Sequence, residues 1–103
     1  MSVPATAGFL LTVGPEHPRF AACLQAVERA RAAGAEIFFY CLDEGVTAVN
    51  DSRLAQLLPP GFHLLGCAYA AERRHLPRSN QVTYGGLKML GDLIAHTQTF
   101  ESF

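Results

Sequence analysis

Charge is scarce in this chain. Of its 103 residues only 17% are Asp, Glu, Lys or Arg, against about 25% in an average soluble protein. Eight basic residues stand against nine acidic ones, for a net charge of −1. That balance excludes a nucleic-acid role driven by overall charge, because holding a phosphate backbone needs a basic excess. Cysteine is scarce too: Cys23, Cys41 and Cys67 are odd in number and widely spaced, with no CxxC pair. This excludes a secreted disulfide framework, a zinc knuckle and a thioredoxin-type redox motif. The histidines, His17, His63, His75 and His96, form no HxH or HxxxH pair, so the sequence announces no metal site. No apolar stretch reaches the ~18 residues that span a bilayer. Residues Met1 to Ala7 place no basic segment ahead of the short apolar run Phe9 to Val13, unlike a secretory leader. The chain is therefore expected to be cytoplasmic, with reduced thiols, and to engage neither a membrane nor nucleic acid directly.

What is abundant is apolar material, half of the residues. Such a composition excludes intrinsic disorder. The length suits a single domain over residues 1–103, large enough to hold a core without staples. Few charged groups remain to cover a monomer's surface, which suggests that other subunits cover part of the apolar surface.

Short apolar runs alternate with helical segments along the chain, the pattern of an α/β protein with a mostly parallel sheet. Gly8 to Val13 reads as a strand buried on both faces, ended by Gly14-Pro15. Pro18 opens a helix that runs to Ala33, with Phe20, Leu24, Val27 and Ala30 on one face and Cys23 in the core. Gly34 stands where a C-terminal cap glycine belongs. Ala35 to Leu42 is the second strand, followed by a turn at Asp43-Glu44-Gly45. Val46 to Val49 either extends that turn or opens a short helix. Asp51 or Ser52 caps a brief helix over Arg53 to Leu58, stopped by Pro59-Pro60-Gly61. Phe62 to Cys67 is the third strand, and Ala68 to His75 a short helix ended by Leu76-Pro77. Gly85-Gly86 precede a last helix, Leu87 to Ala95, with Leu87, Leu90 and Ile94 on one face. Thr99 to Phe103 is read as a short closing strand.

Chemistry in such folds sits beyond the carboxyl ends of the strands. Those ends hold two of the three cysteines, Cys41 and Cys67. Cys67 falls at a strand-to-helix junction, where unpaired backbone N–H groups favour a thiolate. The chain's only basic cluster, Arg73, Arg74, His75 and Arg78, follows it and is suited to stabilising a thiolate or receiving an anionic substrate or partner. Cys41 has Asp43 and Glu44 beside it, which oppose a thiolate. It is read as mainly structural, with a resolving or relay role as its secondary reading. Gly85 and Gly86 are candidates for cradling an anion, although no GxGxxG or Walker pattern surrounds them.

Taken together these pieces resemble the DsrE-like family of small sulfurtransferases, which includes DsrE, DsrF, TusC and TusD. The resemblance spans almost the whole chain: LLTVGPEHP, then AAGAEI, then FFYCLDEGV, then HLLGCAYAAERRHL, then Gly85-Gly86-Leu87 and an aromatic C-terminus. The order and spacing of these short motifs carry it. It implies a three-layer α/β/α sandwich on a mostly parallel sheet of about five strands, assembled as trimers or hexamers. It also implies sulfane sulfur carried as a persulfide on Cys67, passed between donor and acceptor proteins without a metal or organic cofactor. Arg73, Arg74 and His75 would then supply positive potential and Tyr69 would shape the pocket. The chain departs from the family pattern at Cys41, where an aromatic residue is common, and at Glu44, inserted into a turn that is more often Asp-Gly-Val. Two other readings stay open. One is a non-catalytic oligomeric scaffold with an inert Cys67. The other is a small-molecule or nucleotide-binding module using Gly14 and Gly85-Gly86.

Overall fold

A computed structural model describes residues 5–57 and 60–103. Leu58 and Pro59, which carry the expected end of the second helix and part of its proline stop, lie outside the described residues, as do residues 1–4.

The apolar runs form strands because they can bury both of their faces in one sheet. β1 (Thr6–Leu11), β2 (Glu36–Cys41), β3 (Phe62–Cys67), β4 (Thr83–Gly85) and β5 (Thr99–Ser102) pair in the order β4-β3-β2-β1-β5, every pair parallel. Between them lie α1 (Pro18–Ala32), a 3₁₀ segment (Asp43–Ala48), α2 (Ser52–Ala55), α3 (Ala68–Arg73) and α4 (Leu87–His96). The result is the expected three-layer α/β/α sandwich.

Local chemistry explains the main boundaries. Pro18 occupies the first turn of α1, and His17 Nδ1 accepts the Arg19 N–H at the N-terminus. The helix ends where Gly34 takes a φ of +92°, a conformation a side chain would oppose. The Gly34 and Ala35 N–H groups then return to the carbonyls of Arg31 and Ala30, the paired bonds of a Schellman closure. Asp51 caps α2 by accepting the Arg53 N–H at 2.9 Å. Arg53 also reaches the Pro15 carbonyl and lies over the Phe20 ring, tying α2 to the start of α1. Gly45 is required by close approach, since a Cβ there would collide with the Leu11 carbonyl oxygen.

The sheet has two unequal faces. On one, Phe9, Leu11, Ile37, Phe39, Cys41, Phe62 and Leu64 are buried against Phe20, Cys23 and Val27 of α1 and Leu54 of α2. On the other, Leu10 and Phe38 are half-buried and His63 is exposed. The strand order explains the difference. From β1 to β4 the chain steps across the sheet in one direction, so right-handed crossovers put α1, α2 and α3 on a single face. The return from β4 to β5 runs the opposite way and leaves α4 to cover the second face. Met89 of α4 packs over Gly85 there.

Several expectations shift. β1 begins and ends two residues earlier than Gly8–Val13, because it leaves the sheet together with β2, where Leu42 donates its N–H to the Leu11 carbonyl. The stretch from Val46 belongs to the 3₁₀ segment and not to a separate helix. β4 was not read from the sequence at all. The apolar face expected for α4 is only partly buried: Leu90 packs into the core, while Leu87 and Ile94 are 68% and 52% exposed.

Candidate functional site

The crossover reversal places the site. β3 leads into α3 on one face, and the adjacent β4 leads into α4 on the other. Adjacent strands whose connections part in this way leave a crevice at their carboxyl ends. In that crevice Cys67 is the register partner of Gly85.

Cys67 is the last residue of β3 and the N-cap of α3. Its Sγ accepts the Ala70 N–H at 3.4 Å, taking the place that a Ser or Asp oxygen fills in an ordinary N-cap. The residue is 5% exposed, and it lines a recess of about 340 Å³ together with Leu42, Asp43, Tyr69, Ala70, Arg73 and Arg74. The thiol is thus held by the backbone at the floor of a small polar pocket. Asp43 enters that pocket from a left-handed backbone conformation, φ +52°, which aspartate adopts more readily than most residues.

The basic cluster is divided by the structure. Arg73 and Arg74 line the recess. Arg73 Nη1 donates to the Tyr69 hydroxyl at 3.1 Å and lies over the Tyr69 ring, and Tyr69 is 65% exposed. Arg74 is held by Glu44, whose Oε1 accepts from Nε at 2.9 Å and Nη2 at 2.7 Å, and it also donates to the Ala70 carbonyl. Its charge is therefore largely answered by Glu44, which leaves Arg73 as the less committed of the two. His75 sits past the helix end with φ +53° and is not among the lining residues. Arg78 pairs with Glu72 and lies over the Tyr84 ring.

Cys41 is fully buried and faces away from this pocket. It is in register with Gly66, one residue before Cys67, so alternation sends the two cysteines to opposite faces of the sheet. It lies near Cys23 in the α1 layer, where burial and the neighbouring thiol push its own thiol up. Burial pushes Cys23 up to about 12, with the Glu101 charge adding to it. Gly85 and Gly86 turn carbonyl oxygens toward the site, where both approach the Tyr40 hydroxyl, at 3.4 and 3.2 Å. They also line a separate, more apolar groove of about 580 Å³ against Phe38, Leu65, Met89 and Leu93. Among the described residues no group of three or more His, Cys, Asp or Glu side chains converges as a metal site would require. No helix among them is long and apolar enough to cross a membrane.

Sequence reasoning missed Tyr40 and Asp43 as parts of this site. Tyr40 reads as one more aromatic in a strand, and only the register between β2 and β3 brings it to Cys67.

Fold and site together define a doubly wound, single-sheet α/β protein with a cysteine at its topological switch point. No protein-family model matches the chain, and no curated protein sequence matches it. Among solved structures, the crystal structure of the ychN protein from E. coli is similar to it, with a TM-score of 0.78 at 14% sequence identity. The match covers 98% of this chain and 100% of that one. At that identity the likeness is one of fold, and it takes in nearly all of this chain and all of the other.

Proposed function

We propose that this chain is a sulfur-relay protein that takes up sulfane sulfur as a persulfide on Cys67 and yields it to a thiol on a partner protein. The observation that carries this reading is the placement of Cys67 at the switch point, its Sγ held by the Ala70 N–H and facing the pocket lined by Arg73 and Arg74. The resemblance of HLLGCAYAAERRHL to the DsrE-like sulfurtransferases supports the chemistry, and the whole-length fold match is consistent with it.

The Cys67 thiolate attacks the outer sulfur of a donor persulfide, R–S–SH. A bond forms from Sγ to that sulfur, the donor S–S bond breaks, and its electron pair leaves on R–S⁻. The product is Cys67–S–SH. An acceptor thiolate then repeats the attack on the outer sulfur and regenerates the Cys67 thiolate. No net oxidation occurs and no further reactant is needed. The rate depends on thiolate population and on access to the sulfur. The Ala70 N–H donates to Sγ, and Arg73 brings a positive charge to the lining of the same pocket. Donor and acceptor thiols would enter past Tyr69, whose exposed ring borders the recess.

The half-covered second face of the sheet supports assembly as part of the same proposal. Leu87 and Ile94 stand exposed on α4 beside the apolar groove, and further subunits of a trimer or hexamer would cover them.

Incubation with a persulfide donor followed by intact-mass measurement tests the relay. Added sulfur is expected on the unaltered protein and on Cys41→Ser, and none on Cys67→Ser. Failure of the unaltered protein to take up sulfur would leave a non-catalytic scaffold as the better account.

A further inference from the structure

Tyr40 is fully buried, yet its side chain ends at the carboxyl edge of the sheet, beside the strand end that carries Cys67. In the sheet it is in register with Leu65, two residues before Cys67, so alternation puts the Tyr40 and Cys67 side chains on the same face. Two residues of strand advance by about 6.6 Å, close to the reach of a tyrosine lying along the sheet. The phenol therefore arrives at the carboxyl ends of β3 and β4. There its oxygen is 3.2 Å from the Gly86 carbonyl and 3.4 Å from that of Gly85, the register partner of Cys67. The same hydroxyl has the Cys67 thiol as a neighbour, and its proton lies on the glycine carbonyls. Burial, with that contact, pushes the phenol up to about 12, so it keeps its proton at neutral pH and remains a donor.

A phenol has one proton to give. The Gly86 carbonyl is a neutral acceptor, whereas a thiolate is a charged one and forms the stronger bond. Rotation about the C–O bond is enough to exchange them.

We propose that Tyr40 is a switchable hydrogen-bond donor to Cys67, resting on the Gly86 carbonyl when the sulfur is neutral and turning to the sulfur when it bears negative charge. In the relay described above, on which this part of the inference rests, Sγ is anionic twice: as the attacking group during loading and as the leaving group during discharge. A donor at Sγ dampens the nucleophile slightly and improves the leaving group. Tyr40 thus favours discharge more than loading.

The charged groups that face the same pocket are Asp43 from the 3₁₀ segment and Arg73 and Arg74 from α3, with Glu44 holding Arg74. Substitution at Tyr40 leaves all four in place.

The test is the pH profile of iodoacetamide modification at Cys67, read by peptide mass, in the unaltered protein and in Tyr40→Phe. Loss of the hydroxyl is expected to slow modification about tenfold near neutral pH, the size of one charge-assisted hydrogen bond. The alkaline plateau should be kept or rise slightly, because the thiolate loses a damping donor, and the profile moves to higher pH. Superimposable profiles would overturn the proposal, and so would a uniform slowing at every pH, which a merely structural change would give. A tyrosine fluorinated beside its hydroxyl, inserted at position 40, covers the case in which the Phe variant does not fold. It is a stronger donor and should move the profile to lower pH, and an unmoved profile again overturns the proposal. Iodoacetamide needs no sulfur donor. Failure of sulfur uptake with a displaced profile would therefore remove the relay and keep Tyr40's role, and the reverse result would do the opposite.

Discussion

At the scale of single residues, the fold gives three thiols different surroundings. Cys23 and Cys41 are sealed in the α1 layer with no exposed surface, and burial raises both thiols. A thiol held neutral away from solvent is inert toward alkylating agents. Cys67 is also largely covered, but it borders a recess and accepts an N–H from the chain that follows it. A limiting dose of iodoacetamide on the native protein is therefore expected to label Cys67 alone, with Cys23 and Cys41 labelled only after denaturation. Peptide mapping checks this, and labelling of Cys41 at a comparable rate would contradict it. The sequence made Cys67 legible because a cysteine after a buried strand and before a helix can be recognised from pattern. The division of the basic cluster was not legible. Whether Arg74 or Arg73 is answered by a carboxylate depends on Glu44, thirty residues away in the chain, and that distance closes only when α3 packs on the 3₁₀ segment. Tyr40 was hidden for the same reason, since only register brings its hydroxyl to the strand ends beside Cys67.

At the scale of elements, short pieces of the chain are held by specific caps. α2 has only four residues, too few to persist without help from its ends and its packing. Asp51 supplies that help by accepting from the Arg53 backbone and guanidinium, and those bonds hold its carboxyl below the usual carboxylate range. A carboxylate depressed in the folded state contributes stability that is complete above its unfolded value and is lost as pH falls through the folded one. Asp51→Ala is therefore expected to lower stability by about 1 kcal/mol at neutral pH, with the difference shrinking in strongly acidic solution. Urea unfolding at the two pH values measures it, and a pH-independent difference would contradict the assignment. α1 and β3 were legible almost to the residue, since Pro18, Gly34 and the run from Phe62 are local signals that packing does not override. β4 was not legible because three residues on an edge strand, Thr83–Gly85, pair on one side only and need no apolar run. The solvent exposure of Leu87 and Ile94 was equally beyond the pattern. Helical spacing shows which residues share a face of α4, but not how much of that face the sheet can cover.

At the scale of the whole molecule, the strand order decides both where the crevice at Cys67 opens and which face of the sheet stays thinly covered. Reversal of the crossover between β3 and β4 opens a crevice at Cys67, and the same reversal leaves α4 to cover one entire face of the sheet. The scarcity of charge met in the sequence thus resolves into two parts. Most of the apolar material is buried in the strands and the α1 layer, and a remainder stays exposed along α4. If that remainder is an assembly surface, the unaltered chain elutes on size exclusion as an oligomer at micromolar concentration. Leu87→Glu with Ile94→Glu should shift it to monomer while leaving the circular dichroism unchanged. A monomeric unaltered chain would contradict assembly without touching the relay. The relay itself is tested most directly by a single loading and discharge experiment. The protein is treated with a persulfide donor, freed of it, and mixed with a small thiol, with intact mass and the Cys67 peptide followed throughout. The expected record is one added sulfur on Cys67 that disappears on addition of the thiol and never forms in Cys67→Ser. Sulfur that never adds, or that adds equally without Cys67, would contradict the proposed function.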